Sequence, residues 1–151
     1  VSWRARLAEL GIDLPPVAAP AGSYVPAVRA GALVFTAGQI PLVDGAVAAT
    51  GKVGAEVSPE EAQRLARVCA LNALAAVDAL VGIDSVVRVV KVVGFVASAG
   101  GFTGQPAVLN GASDLLAEVF GEVGRHARSA VGVAELPLGV PVEVELVVEV
   151  G

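Results

Sequence analysis

The side chains with the widest chemical reach lie toward the C-terminus. Arg128 opens the segment Arg128-Ser129-Ala130-Val131-Gly132-Val133-Ala134-Glu135-Leu136-Pro137, and the stretch beyond it carries Glu143, Glu145 and Glu149. A guanidinium is a planar fork that can hold a carboxylate through two charge-assisted hydrogen bonds. Such bonds contribute roughly 1.5–3 kcal/mol each. A glutamate carboxylate can orient or deprotonate a water molecule, and a positioned general base is typically worth about 10²–10⁴ in rate. Other chemistry is thinly supplied. His126 is the only histidine, which excludes a two-histidine metal or acid–base pair within one chain. Cys69 is the only cysteine, which excludes an internal disulfide and a multi-cysteine zinc site.

The elements that must position these groups can be read from periodicity. From Val140 to Val150 the even positions are Val or Leu, while Glu143, Glu145 and Glu149 fall on odd ones. A strand repeats every two residues, so the three carboxylates share one face. That face is either solvated or turned to a site. Val86 to Ala97 reads as a strand apolar on both sides, so both sides are expected to be covered. Tyr24 to Arg29, Leu33 to Ala37 and Arg128 to Ala134 are further strands, and Ala46 to Ala49 is a short one. Gly38 to Gly45 reads as a loop. Ser58 caps a helix that runs to Gly82, with Pro59 in its first turn and Glu61 completing a capping box. Its apolar stripe runs from Ala62 through Cys69 to Leu80, with Cys69 packing as a small hydrophobe. A second helix is predicted over Pro106 to Val123, and a short one over Ser2 to Leu10. The order implies an α+β fold, mainly antiparallel, with two helices packed on one sheet face.

Composition narrows the function classes. The chain has 151 residues, 55% of them apolar and only 17% charged. One domain over 1–151 is expected from that length. The mean hydropathy is +0.74, too high for a disordered chain. No apolar run approaches the roughly 20 residues of a membrane span, and no cleavable leader is evident. A cytoplasmic protein with no membrane partner is therefore expected. The net charge of −5 and ten scattered basic residues argue against nucleic acid, whose binding rests on phosphate neutralisation. The apolar excess still has to be covered, by a partner or by copies of the same chain.

The run Arg128 to Pro137, followed by Val142-Glu143-Val144-Glu145, resembles the closing signature of the RidA/YjgF family. Gly22-Ser23-Tyr24-Val25-Pro26-Ala27 is similar to its N-terminal G-x-Y segment. Phe35-Thr36-Ala37-Gly38-Gln39-Ile40-Pro41 is similar to its S-G-Q-I-P loop. Asn72 falls where its first helix has N-L, and Lys91 lies in a matching V-V-K strand. The resemblance spans about residues 18–150 and leaves 1–17 as an N-terminal extension.

The resemblance implies a homotrimer with clefts between neighbouring subunits. It also implies hydrolysis of reactive 2-imino or enamine acids to 2-keto acids and ammonia, with no metal and no cofactor. In that reading Arg128 holds the substrate carboxylate, Glu143 handles the attacking water, and Tyr24 closes the cleft or relays a proton. Ala37, Gly38, Ser129 and Ala130 line the pocket, with Gly38 letting backbone approach the ligand. His126 either reaches the cleft mouth or is a solvated loop residue. Two departures stand out. Ala37 replaces the serine of the S-G-Q loop, and Ala130 stands where the family often has Cys or Thr. They leave open a trimer that binds small carboxylates without turning them over. Arg128 in a surface ion pair and Tyr24 as a half-buried edge residue are the plain alternatives, and an endoribonuclease is the least compatible with the charge.

Overall fold

The structure is a computed structural model that describes residues 2–20 and 22–151; Val1 and Ala21, both in the N-terminal segment, lie outside the described residues. Helix α1, Trp3–Glu9, is capped by Ser2, whose hydroxyl accepts from the Ala5 N–H at 3.1 Å. It packs firmly. Leu7 is buried, the Trp3 indole N–H donates to the Val86 carbonyl at 2.8 Å, and the indole meets the Phe120 ring edge-on at 5.1 Å. The N-terminal residues therefore contribute to the core rather than trail from it.

Helix α2, Pro59–Val81, starts where its sequence predicts, with the Ser58 hydroxyl accepting from Glu61 N–H at 3.1 Å, but the Glu61 carboxylate takes two bonds from Arg64, at 3.1 and 2.6 Å, instead of completing the capping box. It ends at Gly82, whose φ of 81° suits a residue without a Cβ. Cys69 is fully buried in its apolar stripe. Leu80, expected in the same stripe, is exposed because the last turn runs past the core. Helix α3, Gln105–Phe120, is shorter than predicted; Gly121 (φ 60°) stops it, and a 3-10 turn covers Gly121–Gly124. Two glycines let it sit close. A Cβ on Gly111 would lie 1.9 Å from the Gln63 carbonyl oxygen of α2, and one on Gly94 would lie 2.1 Å from Leu109.

Among the described residues seven strands complete the fold: β1 Ala27–Ala30, β2 Leu33–Thr36, β3 Leu42–Val43, β4 Ala46–Val47, β5 Val86–Ala97, β6 Ala127–Val133 and β7 Val142–Val150. Five form one sheet in the order β1-β2-β7-β5-β6. Its pairs are antiparallel except β5 with β6, which are parallel because α3 crosses between them. The α+β reading holds, with a mixed sheet and a third helix. The predicted first strand loses Tyr24 to Pro26, since Pro26 has no N–H to pair. The predicted 38–45 loop contains β3, which pairs β4 in a small hairpin across Asp44 and Gly45, both at positive φ.

Helices α2 and α3 bury one face of the sheet: Val92 and Val96 of β5 and Val142 to Val150 at even positions of β7. The other face stays uncovered in one chain. It carries exposed Val28, Phe35 and Val131 beside half-buried Val93, Phe95 and Val147. The expectation that both faces of Val86–Ala97 are covered is thus met on one face within the chain.

Candidate functional site

The candidate site around Glu143 is built by an irregularity between β2 and β7. Their ladder runs to Phe35 opposite Val147 and resumes at Gln39 opposite Val144. Residues 36–38 therefore oppose only residues 145 and 146, which is a bulge of one extra residue. Thr36 turns into the core, and its hydroxyl accepts the Leu146 N–H at 3.0 Å, replacing the missing ladder acceptor. Ala37 N–H donates to the Pro26 carbonyl at 2.8 Å. Beyond the bulge, Gln39 N–H donates to the Val144 carbonyl at 2.8 Å. Buried Asn72 of α2 donates to the carbonyls of Ile40 at 3.1 Å and Leu42 at 3.2 Å, anchoring the chain that follows.

The bulge lays Gly38 against Glu143. A Cβ on Gly38 would lie 2.7 Å from Glu143 Oε2, so only glycine leaves the carboxylate its place. Glu143 is half-buried, and burial raises its pKa above the ordinary glutamate value, with the neighbouring Glu145 charge adding to the rise. Two open grooves, of about 660 and 470 Å³, share Tyr24, Gly38 and Glu143. Ala37 lines the larger one with Val28 and Phe35, and Leu138 lines the smaller. Leu138 holds a left-handed φ of 59° in the Leu136–Gly139 turn. Beneath the floor, the Cys69 thiol is pushed well up by burial, and next by the Glu143 charge. It stays a packed thiol, as its sequence context predicts.

Arg128 lies elsewhere. It pairs with Val92 on β5, so its side chain leaves the sheet on the helix-covered face. There Nη1 donates to Asn110 Oδ1 at 2.8 Å and to Ser113 Oγ at 3.1 Å, both on α3. Glu143 instead pairs across β5 with Phe95, which pairs with Val131 of β6. Arg128 is thus two strands and three residues away, roughly 14 Å between Cα atoms from standard strand spacings. Three is an odd step, which puts the two side chains on opposite faces. Ala130 shares the Arg128 face and packs against the core, while Ser129 pairs with Val93 on the open one.

One chain therefore gathers Tyr24, Ala37, Gly38 and Glu143 around the same grooves. Arg128, Ser129 and Ala130 lie away from them. His126 is not a solvated loop residue: it is half-buried and hydrogen-bonded on both ring nitrogens. Asn110 and Ser113 escaped the sequence reading, although two polar residues three apart on an apolar helix share a face and mark it. Among the described residues no three His, Cys, Asp or Glu side chains group to hold a metal ion. No helix among them is long and apolar enough to cross a membrane.

Two long helices over a β1-β2-β7-β5-β6 sheet, with a bulged second strand feeding a glutamate on the last, define a chorismate mutase-like α+β protein. The chain belongs to the family described as "YjgF/chorismate_mutase-like, putative endoribonuclease", which matches residues 4–150. It is 50% identical over 147 residues to Protein TCP17 of Trypanosoma cruzi, covering 96% of this chain and 92% of that one. It is also similar to the solved structure of Atu1372 from Agrobacterium tumefaciens, a protein of unknown function. That match has a TM-score of 0.90 and 46% identity, over 99% of this chain and 92% of the other. The structure of TdcF from E. coli with bound serine superposes with a TM-score of 0.66 at 25% identity, over 89% and 94% of the two chains.

Proposed function

We propose that the protein hydrolyses reactive 2-imino acids to 2-keto acids and ammonia in clefts between the subunits of a homotrimer. The observation that carries this is the separation of Arg128 from Glu143. In a 2-imino acid the carboxylate and the C=N carbon are bonded neighbours, so their two partners must converge within a few ångströms. Within one chain these side chains diverge from opposite faces. A second copy supplying Arg128 to the Glu143 groove completes the site. The uncovered apolar face with Val28, Phe35 and Val131 favours such an assembly. The serine held by TdcF supports a small amino-acid-like ligand.

In the reaction, Arg128 grips the carboxylate and fixes the C=N carbon. Glu143 takes a proton from water as the water oxygen bonds to that carbon, the C=N π bond opens, and the carboxylic acid returns that proton to the nitrogen to give a neutral carbinolamine. The hydroxyl proton of the carbinolamine then passes by way of Glu143 to the same nitrogen as the C–N bond breaks, which releases ammonia and leaves the keto acid with Glu143 again ionised. The half-buried carboxylate with its raised pKa suits a general base better than a fully solvated one. Tyr24 flanks the same groove.

Ammonia release from enzymatically generated 2-imino acids tests the assignment. Arg128→Ala is expected to abolish it while the assembly persists, and full activity in that variant sinks the reading. A second reading, a carboxylate-binding trimer without turnover, is favoured by Ala37 and Ala130, which lack the hydroxyl or thiol usual at those positions. Binding of 2-oxobutyrate with no hydrolysis distinguishes it. The family description names an endoribonuclease, but the net charge of −5 offers RNA little electrostatic attraction.

A further inference from the structure

We propose that Ser113 and His126 are positioning residues for Arg128, holding its guanidinium so that the Nε–Nη2 edge meets a ligand carboxylate. The inference rests on the reading of Arg128 as the carboxylate anchor, and adds how this chain aims it. The two outer hydrogen bonds have a forced direction, and the one between them has a single direction while the His126 ring is neutral. The Gly124 carbonyl can only accept, so His126 Nδ1, 2.7 Å away, carries a proton. In the neutral ring Nε2 is then an acceptor, and it takes the Ser113 hydroxyl proton across 2.9 Å. With its hydrogen committed there, Ser113 Oγ turns a lone pair to Arg128 Nη1 at 3.1 Å. The chain of bonds has one polarity from the Gly124 carbonyl to the guanidinium.

Asn110 Oδ1 takes a second bond from the same Nη1 at 2.8 Å. Both acceptors are neutral, and among the described residues no carboxylate pairs with Arg128. Its charge is therefore not spent within the chain. The protein bonds gather on Nη1, which leaves the side-on edge of the fork, Nε with Nη2, for a bidentate carboxylate. A long, flexible side chain is thus held before the ligand arrives, which lowers the ordering cost of binding.

Calorimetric binding of 2-oxobutyrate, paired with steady-state kinetics on a 2-imino acid, tests this. Ser113→Ala removes the acceptor, and roughly tenfold weaker binding is expected, with KM raised and kcat changed little. Ser113→Thr keeps a hydroxyl and is expected to behave as the parent. At position 126 glutamine places an acceptor near the Nε2 site, whereas asparagine reaches only the Gly124 side. His126→Gln is therefore expected to retain binding and His126→Asn to lose it to the extent of Ser113→Ala. Arg128→Ala is the control. If it loses binding while Ser113→Ala and His126→Asn stay within twofold of the parent, the positioning role is overturned and the anchor stands. If Arg128→Ala itself binds normally, the anchor reading falls and the positioning role falls with it.

Discussion

Gly38→Ala separates the role of the bulge from its stability. Gly38 is not at positive φ, so the added methyl meets a steric problem only. Its Cβ would lie 2.7 Å from Glu143 Oε2 and 2.9 Å from Cδ, whereas ordinary contact begins near 3.4 Å. The carboxylate must shift by about 0.7 Å or swing away. It sits at the end of a flexible side chain, so the fold is expected to lose under about 1 kcal/mol, partly offset by the entropy an alanine removes from the unfolded chain. Catalysis is less tolerant, since a misplacement near 1 Å can cost about 10²-fold. Ammonia release from a 2-imino acid is therefore expected to fall between roughly tenfold and a hundredfold at nearly unchanged melting temperature. Gly111→Ala is the converse: its Cβ would lie 1.9 Å from the Gln63 backbone oxygen, which cannot swing. That variant is expected to lose about 1–3 kcal/mol, a drop of several degrees in melting temperature. A Gly38→Ala protein with parent activity would refute the placement of Glu143 as the working carboxylate.

Three further outcomes follow from Glu143 and Thr36. Burial and then Glu145 raise the Glu143 pKa above 4.5, so the acidic limb of kcat/KM is expected above the usual glutamate range. Glu145→Gln should move that limb to lower pH; an unmoved limb would separate it from Glu143. The stability sign is the reverse of a salt-bridged acid. A raised folded pKa favours the protonated form, a contribution complete below the unfolded pKa and lost as pH rises through the folded one. Glu143→Gln is therefore expected to stabilise the protein at neutral pH, with the gain closing in acid. Thr36→Val keeps the shape but leaves the Leu146 N–H without its acceptor. Denaturant unfolding should show a loss of about 1–3 kcal/mol, and a neutral result would mean that the ladder closes another way.

The strong periodic signals were legible. Ser58 and Pro59 mark the start of α2, Gly82 marks its end, and the alternation of β7 assigns its even residues to the core and its glutamates to the other face. Signals that depend on partners were not. The parallel pairing of β5 with β6 follows from where α3 crosses, which no local pattern states. The β3–β4 hairpin is too short to show alternation, and only Asp44-Gly45 hints at it. For the candidate site, the sequence names the motif residues one by one but not how the fold divides them between the two faces. Arg128 and Glu143 are fifteen positions apart in sequence, and only the register across β5 puts them on opposite faces. His126 read as a loop residue because its partners, Ser113 and the Gly124 carbonyl, belong to α3 and the turn that follows it.

Mixing two inactive variants tests the shared site most directly. Arg128→Ala subunits retain Glu143, and Glu143→Gln subunits retain Arg128. Each pure assembly is expected to be inactive. After subunit exchange at equal amounts, the proposed homotrimer would place an intact Glu143 beside an intact Arg128 of the proper neighbour at about a quarter of its clefts. Ammonia release near a quarter of the parent rate is the predicted result. A mixture that stays inactive despite demonstrated exchange would contradict the account.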